Sequence, residues 1–273
     1  MPKLIIFTQS NFNTFFNRHS MLGLINIYFF IEMEELINYI YKNKVSTTFC
    51  SDALDKHGVI PNCYKLKNRI NDKNDEIICG KIYPIFVANG SNFSLHYQIS
   101  KIPENVICIV FTYNINQISL LGSLVADFLF KTKKIKALVV HGFVRDAYEL
   151  ENTNYPIWSM GYNPIGCSNN KGPDFPKEEV QRLKDIYDGG IAICDSCGVV
   201  AIPRYLVEEE EIMINRLNKI RDRELIWNHC INVLGWDTYE TIILKSYLND
   251  KKQLKWDKYL EKLVKNYRKQ YGN

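Results

Sequence analysis

"VVHGFVRDAYEL", Val139 to Leu150, is the stretch on which the reading of this chain turns. It opens as an apolar, β-branched run with the composition of a buried strand. It then stops at a turn that leaves Arg145 and Asp146 side by side. A guanidinium and a carboxylate at the open end of an apolar strand either neutralise each other or jointly hold something charged. Spacing alone favours the first outcome, a local cap or a surface ion pair worth about 0–1 kcal/mol.

Outward from this strand, the chain alternates strand and helix. Upstream, "SLLGSLVADFLFKTKK" has a helical pattern, with lysines in its last turn where they complement the helix dipole. Before it, "NVICIVFTY" reads as a buried strand, "NFSLHYQISKI" as a helix and "EIICGKIYPIFVANG" as a strand. "GVIPNCYKLK" is a strand broken by Pro61. Ser46 and Thr47 offer cap oxygens to a helix in "TTFCSDALDKHG", which Gly58 is expected to close. Residues 33–44 place apolar side chains at helical spacing. Downstream, "YPIWSMGYNPIG" is short, aromatic and turn-rich, and "CSNNKGPDFPKEE" is polar. "DIYDGGIAICDSCGVVAIP" reads as two short strands around a tight turn at Asp195–Gly198, and from Glu208 onward the pattern is helical. The expected class is therefore α/β with a helical C-terminal appendage.

The composition excludes extremes. The chain has 273 residues, 46% apolar and 23% charged, and a net charge of +4, so it can bury a full core and needs no polyanionic partner to balance it. The lysines concentrate near the C-terminus. No stretch reaches the roughly 18–20 apolar residues of a membrane span. The eight cysteines, at 50, 63, 79, 108, 167, 194, 197 and 230, form no compact disulfide framework, which fits free thiols in a reducing cytoplasm. Cys194 and Cys197 make one CxxC; a zinc site would need a second pair, for which only His229 with Cys230 offers itself, and small residues flanking a turn is the simpler reading. Residues 1–32 contain "MLGLINIYFFI", too short to span. The expectation is that Met33 opens the natural product; the alternative is that 1–32 form a real extra strand or docking segment.

Taken in order, "STTFCSDALDKHG", "GKIYPIFVANG", "NVICIV", "LLGSLVADF", "KALVVHGFVRDAYEL", "YPIWSMGYNP", "DGGIAICDSCGVVAIP" and "IRDREL" resemble the RraA-like proteins. That family includes 4-hydroxy-4-methyl-2-oxoglutarate aldolases, oxaloacetate decarboxylases and the regulator of ribonuclease E activity. The resemblance implies layered β-sheets flanked by helices, of the swivelling β/β/α type, assembling as a homotrimer or homohexamer. It implies a family domain over 33–230, a non-family segment at 1–32 and a helical, Lys-rich extension at 231–273. In the aldolases the site sits at a subunit interface. Carried over, Arg145 would hold a 2-keto acid and Asp146 would anchor a divalent metal, Mg²⁺ or Mn²⁺, through its water shell. The backbone amides of Gly122, Ser123, Leu124 and Val125 would seat the substrate carboxylate. Glu224 would reach into a neighbour's site.

The chemistry suits these residue types. Cleaving a carbon–carbon bond of a 2-keto acid, by retro-aldol or decarboxylation, leaves a pyruvate-type enolate, whose charge needs a cation or oriented donors in a water-poor pocket. A hard divalent ion accepts one carboxylate plus water and substrate oxygens, and an arginine adds a forked contact. One departure stands out: active aldolases carry an acid directly after the helix-opening glycine, where this chain has Ser123. Asp127, one turn on, substitutes only if the helix shifts register, and otherwise is an exposed acid. His141 is a candidate general acid or a structural strand histidine. Asp195 is expected to serve its turn, and Asp52 is either a helix-surface acid or a pocket contact.

The tail "KKQLKWDKYLEKLVKNYRKQYGN" places Trp256, Tyr259, Leu260, Leu263 and Tyr267 on one stripe among lysines. Packing on the body or on another subunit is the commonest fate of such a stripe; nucleic-acid contact and a membrane-surface helix are the alternatives. Two function classes follow, a metal-dependent lyase and a non-catalytic module that regulates or scaffolds a partner. Ser123 favours the module; Arg145, Asp146 and Glu224 favour the lyase.

Overall fold

The computed structural model describes residues 33–69, 76–115, 117–249 and 258–271. The readings of residues 1–32 and of Trp256 fall outside them. Helix α1 (33–42) buries Met33, Leu36, Ile37 and Ile40, the i, i+3, i+4, i+7 face of its sequence. Helix α2 (Thr47–Ala53) starts where Ser46 Oγ accepts the Phe49 N–H at 3.3 Å. Left-handed Asp55 and Lys56 (φ 53° and 68°) end the turns that follow it. Gly58 has a different job from the expected cap: a Cβ there would sit 2.3 Å from the Ala201 carbonyl oxygen, so it lets two backbones touch.

The strands are β1 (Tyr64–Lys65), β2 (Ile78–Ala88), β3 (Ile107–Tyr113), β4 (Ser119–Leu121), β5 (Ala137–Val144), β6 (Ile157–Tyr162), β7 (Ile191–Asp195) and β8 (Gly198–Ile202). They run in the order β1-β6-β5-β3-β2-β7-β8, with β4 also paired to β5. Strand β2 joins two sheets. Its first residues, 78–81, pair antiparallel with β7, and 82–88 pair parallel with β3. The β3–β5 and β5–β6 pairs are parallel, whereas β7 and β8 form the expected antiparallel hairpin.

Helices α3 (Phe93–Ile99), α4 (Ser123–Asp127, running into a π turn at Phe128–Thr132), α5 (Ala147–Glu151), α6 (Lys177–Tyr187), α7 (Arg204–Val207), α8 (Glu210–Asn232) and α9 (Lys258–Tyr271), with a π turn at Tyr239–Ile243 and a 3-10 turn at Ser246–Leu248, complete the described elements. One apolar cluster packs α1, α2, α7 and the first half of α8 on β7 and β8. A second packs α3 and α4 on β2, β3 and β5. A third, with Trp158 and Phe175, lies between the sheets. This is the layered α/β architecture expected.

Three local readings need correction. "SLL" is strand β4 rather than the first turn of a helix, because its side chains are buried and Leu121 pairs with Val144. "IWSMGY" is the parallel strand β6 rather than a turn, since Trp158 is fully buried between the sheets. Residues 177–187 form α6, whose Leu183 faces the core. Beyond Glu208 the pattern is helical but interrupted at 233–237. Helix α8 is continuous across the expected 230 boundary and feeds both the first cluster and a small C-terminal one of Ile226, Cys230, Tyr247 and Val264. Among the described residues no helix is long and apolar enough to cross a membrane.

Candidate functional site

Strand β5 delivers Arg145 and Asp146 to the edge of a cavity. The Arg145 N–H donates to the Leu121 carbonyl at 3.0 Å, locking the ends of β4 and β5 together. Asp146 is left-handed (φ 63°, ψ 49°), a conformation an acid tolerates better than most residues. This bend opens α5 and turns the carboxylate back over α4. There Asp146 Oδ2 accepts the Ser123 N–H at 2.9 Å and the Ser123 hydroxyl at 3.3 Å. Gly122 is obligatory beneath it, for a Cβ would lie 2.0 Å from that oxygen.

The two charges stay loosely paired. Arg145 Nε is 3.9 Å from Asp146 Oδ1, and the arginine side chain is 52% exposed. Its guanidinium lies over Gly166, where a Cβ would be 2.5 Å from Nη1. Gly122, Leu124, Val125, Arg145 and Asp146 share a cavity of about 260 Å³ with Asn92 and His96 from α3 and with Gly166, Cys167 and Asn169 from the loop after β6. Burial pushes the Cys167 thiol up, and the charge of Arg145 opposes this. The Asn92 amide donates to the Leu120 carbonyl at 3.3 Å, while its buried Oδ1 finds no partner among the described residues.

The structure thus brings together Gly122, Leu124, Val125, Arg145 and Asp146. Ser123 does not line the cavity: its N–H is committed to Asp146, so it is no part of a free anion seat. Glu224, on α8 with Arg223 Nη2 3.8 Å away, does not line it within one chain. Asp127 is tied to Lys131 at 2.8 Å and to the Tyr155 hydroxyl at 2.7 Å, which hold its carboxyl below the usual range; it does not substitute for the acid absent at 123. His141 sits in mid-strand away from the cavity, and burial lowers its pKa. Asp52 is gripped by Arg223 at 2.8 Å beside a second cavity of about 360 Å³, near β8. Residues sequence reasoning missed, Asn92, His96, Gly166, Cys167 and Asn169, reach the site through loop pairing: Asn92 N–H donates to the Ser168 carbonyl, and Ser168 N–H to that of Gly90.

Asp195 does more than serve its turn. It is buried, and it accepts the Cys197 N–H at 2.9 Å, the Thr47 N–H at 2.8 Å and the Thr47 hydroxyl at 2.7 Å, so it also caps α2. Cys194 is buried and Cys197 exposed, as a structural turn requires. Among the described residues no three His, Cys, Asp or Glu side chains gather as a metal cluster. Asp146 Oδ1, whose nearest protein charge is the loose contact to Arg145, nevertheless fits the sparse demand of Mg²⁺ for a single carboxylate completed by water and substrate.

A family model described as RraA-like, Aldolase/RraA, matches residues 47–201, more than half the chain, from the start of α2 into β8. The chain belongs to the RraA-like family. Solved structures repeat the RraA-like fold. A Pseudomonas syringae pv. tomato protein superposes with a TM-score of 0.56 at 19% identity, covering 78% of this chain and 94% of that one. Streptomyces coelicolor RraAS2, described as an unusual member of the RNase ES inhibitor RraA protein family, gives 0.53 at 17% identity, covering 70% and 94%. A curated relative, a ditrans,polycis-undecaprenyl-diphosphate synthase of Buchnera aphidicola, is 24% identical over 120 residues, 44% of this chain and 46% of that protein. The chain therefore spans less than half the length of the curated relative it matches. RraA-like proteins include aldolases and decarboxylases as well as non-catalytic ribonuclease E inhibitors.

Proposed function

We propose that this RraA-like chain is a divalent-metal-dependent carbon–carbon lyase acting on a 2-keto acid. The observation that supports it is the meeting of Arg145 and Asp146, incompletely paired, on a cavity they share with the N-terminal turn of α4. Arg145 presents a fork to the keto-acid oxygens, and the Leu124 and Val125 amides orient the carboxylate. Asp146 Oδ1 would hold the metal, while Oδ2 stays on Ser123, which fixes the carboxylate's direction. A bound Mg²⁺ or Mn²⁺ would supply Lewis-acid stabilisation of the charge that develops on the keto oxygen.

Assembly as a trimer or hexamer belongs to the same proposal. Leu124 is 84% exposed at the cavity and Tyr148 is 68% exposed on α5, an apolar rim suited to cover by a second copy. Such a copy would bring Glu224 to the site. The domain limits proposed remain 33–230 with a C-terminal extension, and the compartment proposed is the cytoplasm.

A second reading, a binding module without turnover, is favoured by one observation: the residue bonded to the Asp146 carboxylate is Ser123, not an acid that would help hold a metal. Incubation with Mg²⁺ and oxaloacetate, following pyruvate, separates the two. Turnover lost in Arg145→Lys supports the lyase, since a point charge does not reproduce the fork. Absence of turnover on any 2-keto acid by the wild type refutes it.

A further inference from the structure

Helix α9 resolves the tail into two opposite faces. Val264 is buried against Ile226 and Cys230 of α8 and against Tyr247, with Leu263 and Tyr267 packed on the same cluster, and Leu260 is buried one turn before it. Arg268 pins the helix, donating to the Tyr247 carbonyl at 3.0 and 2.8 Å and to that of Asn249 at 3.1 Å. Packing on the body is therefore what the apolar stripe does, except that Tyr259 is 58% exposed.

On the far side stand Lys258, Lys262, Lys265 and Lys269, all exposed. At 100° per residue they fall within a sector of about 60°, one lysine per turn along about 16 Å. One acid, Glu261, lies among residues 258–271. Residues 250–273 carry eight basic and three acidic side chains, a net of +5 against +4 for the whole chain, so the first 249 residues net −1. All of the protein's excess positive charge is in this tail.

We propose that the exposed face of α9 binds single-stranded nucleic acid through its phosphates, independently of any lyase activity. An anionic membrane is disfavoured because an interfacial helix needs its apolar face, and here Val264, Leu263 and Tyr267 are spent on the body and Leu260 is buried. An acidic protein is disfavoured by the regular single file, which suits a polymer bearing one phosphate per repeat better than irregular carboxylates. Tyr259, exposed on the flank of the row, provides a ring on which a base stacks.

The test uses the full chain and fluorescence anisotropy with a labelled oligouridylate. Binding should weaken with salt along a log–log slope near −3, about −0.7 for each of four lysines. The quadruple variant Lys258→Gln, Lys262→Gln, Lys265→Gln, Lys269→Gln alters only exposed positions, and an unchanged far-ultraviolet spectrum and melting temperature will verify its fold. It should bind at least tenfold more weakly at low salt, with the slope near zero. Tyr259→Ala should lose roughly fivefold or more in affinity at unchanged slope, because stacking is neutral. The proposal is overturned if the wild type ignores the oligonucleotide at low salt, if the quadruple variant keeps its affinity and slope, or if polyglutamate or phosphatidylserine vesicles bind more tightly than the oligonucleotide. No effect of Tyr259→Ala would overturn the single-strand assignment.

Discussion

Asp146 Oδ2 accepts the Ser123 backbone N–H at 2.9 Å from across the chain, so one carboxylate both caps α4 and faces the cavity. Asn and Ala substitutions separate these roles. Asp146→Asn retains an acceptor oxygen and tolerates the left-handed backbone, so denaturant unfolding should show a loss below about 1 kcal/mol. It lacks the charge that a divalent ion requires, and pyruvate formation should fall at least a hundredfold. Asp146→Ala loses the cap as well, at a cost of about 1–2 kcal/mol. A fully active Asn variant would remove Asp146 from the proposed metal site.

Gly122→Ala probes the floor of the same site. The new methyl would lie 2.0 Å from Asp146 Oδ2 and 3.0 Å from Arg145 Cγ, so both functional side chains must move. Overpacking of this kind costs about 1–3 kcal/mol. Turnover should fall more steeply than stability, because displacement by about 1 Å at a reacting centre costs on the order of a hundredfold. Equal activity of the variant and the wild type under saturating Mg²⁺ would separate Gly122 from the chemistry.

How far the site was legible depends on whether its residues are local. Strand β5 and the Arg145–Asp146 turn are contiguous, and the apolar run announces them. Strand β6 was missed because Pro156, Gly161 and the aromatics of "YPIWSMGY" imitate a turn. Its strand character comes from parallel pairing with β5 and from Trp158 Nε1 reaching the Asp195 carbonyl at 2.8 Å, both long-range. Asn92, His96 and Gly166 join the cavity because distant loops pair, and no local pattern encodes that. The role of Ser123 was legible only as a departure; that Asp146 would turn to it follows from a left-handed φ.

The Asp195 carboxylate is a buried charge outside the site. It is 7% exposed and satisfied by three donors from two elements. Thr47→Val keeps the shape but removes the hydroxyl donor, so about 1.5–3 kcal/mol of stability should go, the usual value for a hydrogen bond to a charge. Asp195→Ala strands Thr47 and Cys197 donors and should cost more. Urea unfolding of both variants checks the order; Thr47→Val as stable as the wild type would contradict it.

The thiols predict an alkaline weakness. Burial pushes Cys63 and Cys79 up to about 12, whereas an unfolded cysteine ionises near 8.5. Between these values the unfolded chain has released protons that the folded chain still holds. Stability is therefore intact below about pH 8.5 and falls as pH rises toward 12, by up to about 1.4 kcal/mol per pH unit for each such thiol. Raised tyrosines such as Tyr162, pushed up to about 12, act the same way above pH 10. Melting temperatures between pH 8 and 10.5 should drop steeply, and Cys79→Ala should flatten the drop by about one thiol's share. Cys197 is the exposed thiol, so a disulfide-exchange reagent at pH 8 should modify it first, and Cys197→Ser should remove the fast phase. A pH-independent melting temperature over this range would show that the buried thiols ionise in the folded chain as readily as in the unfolded one.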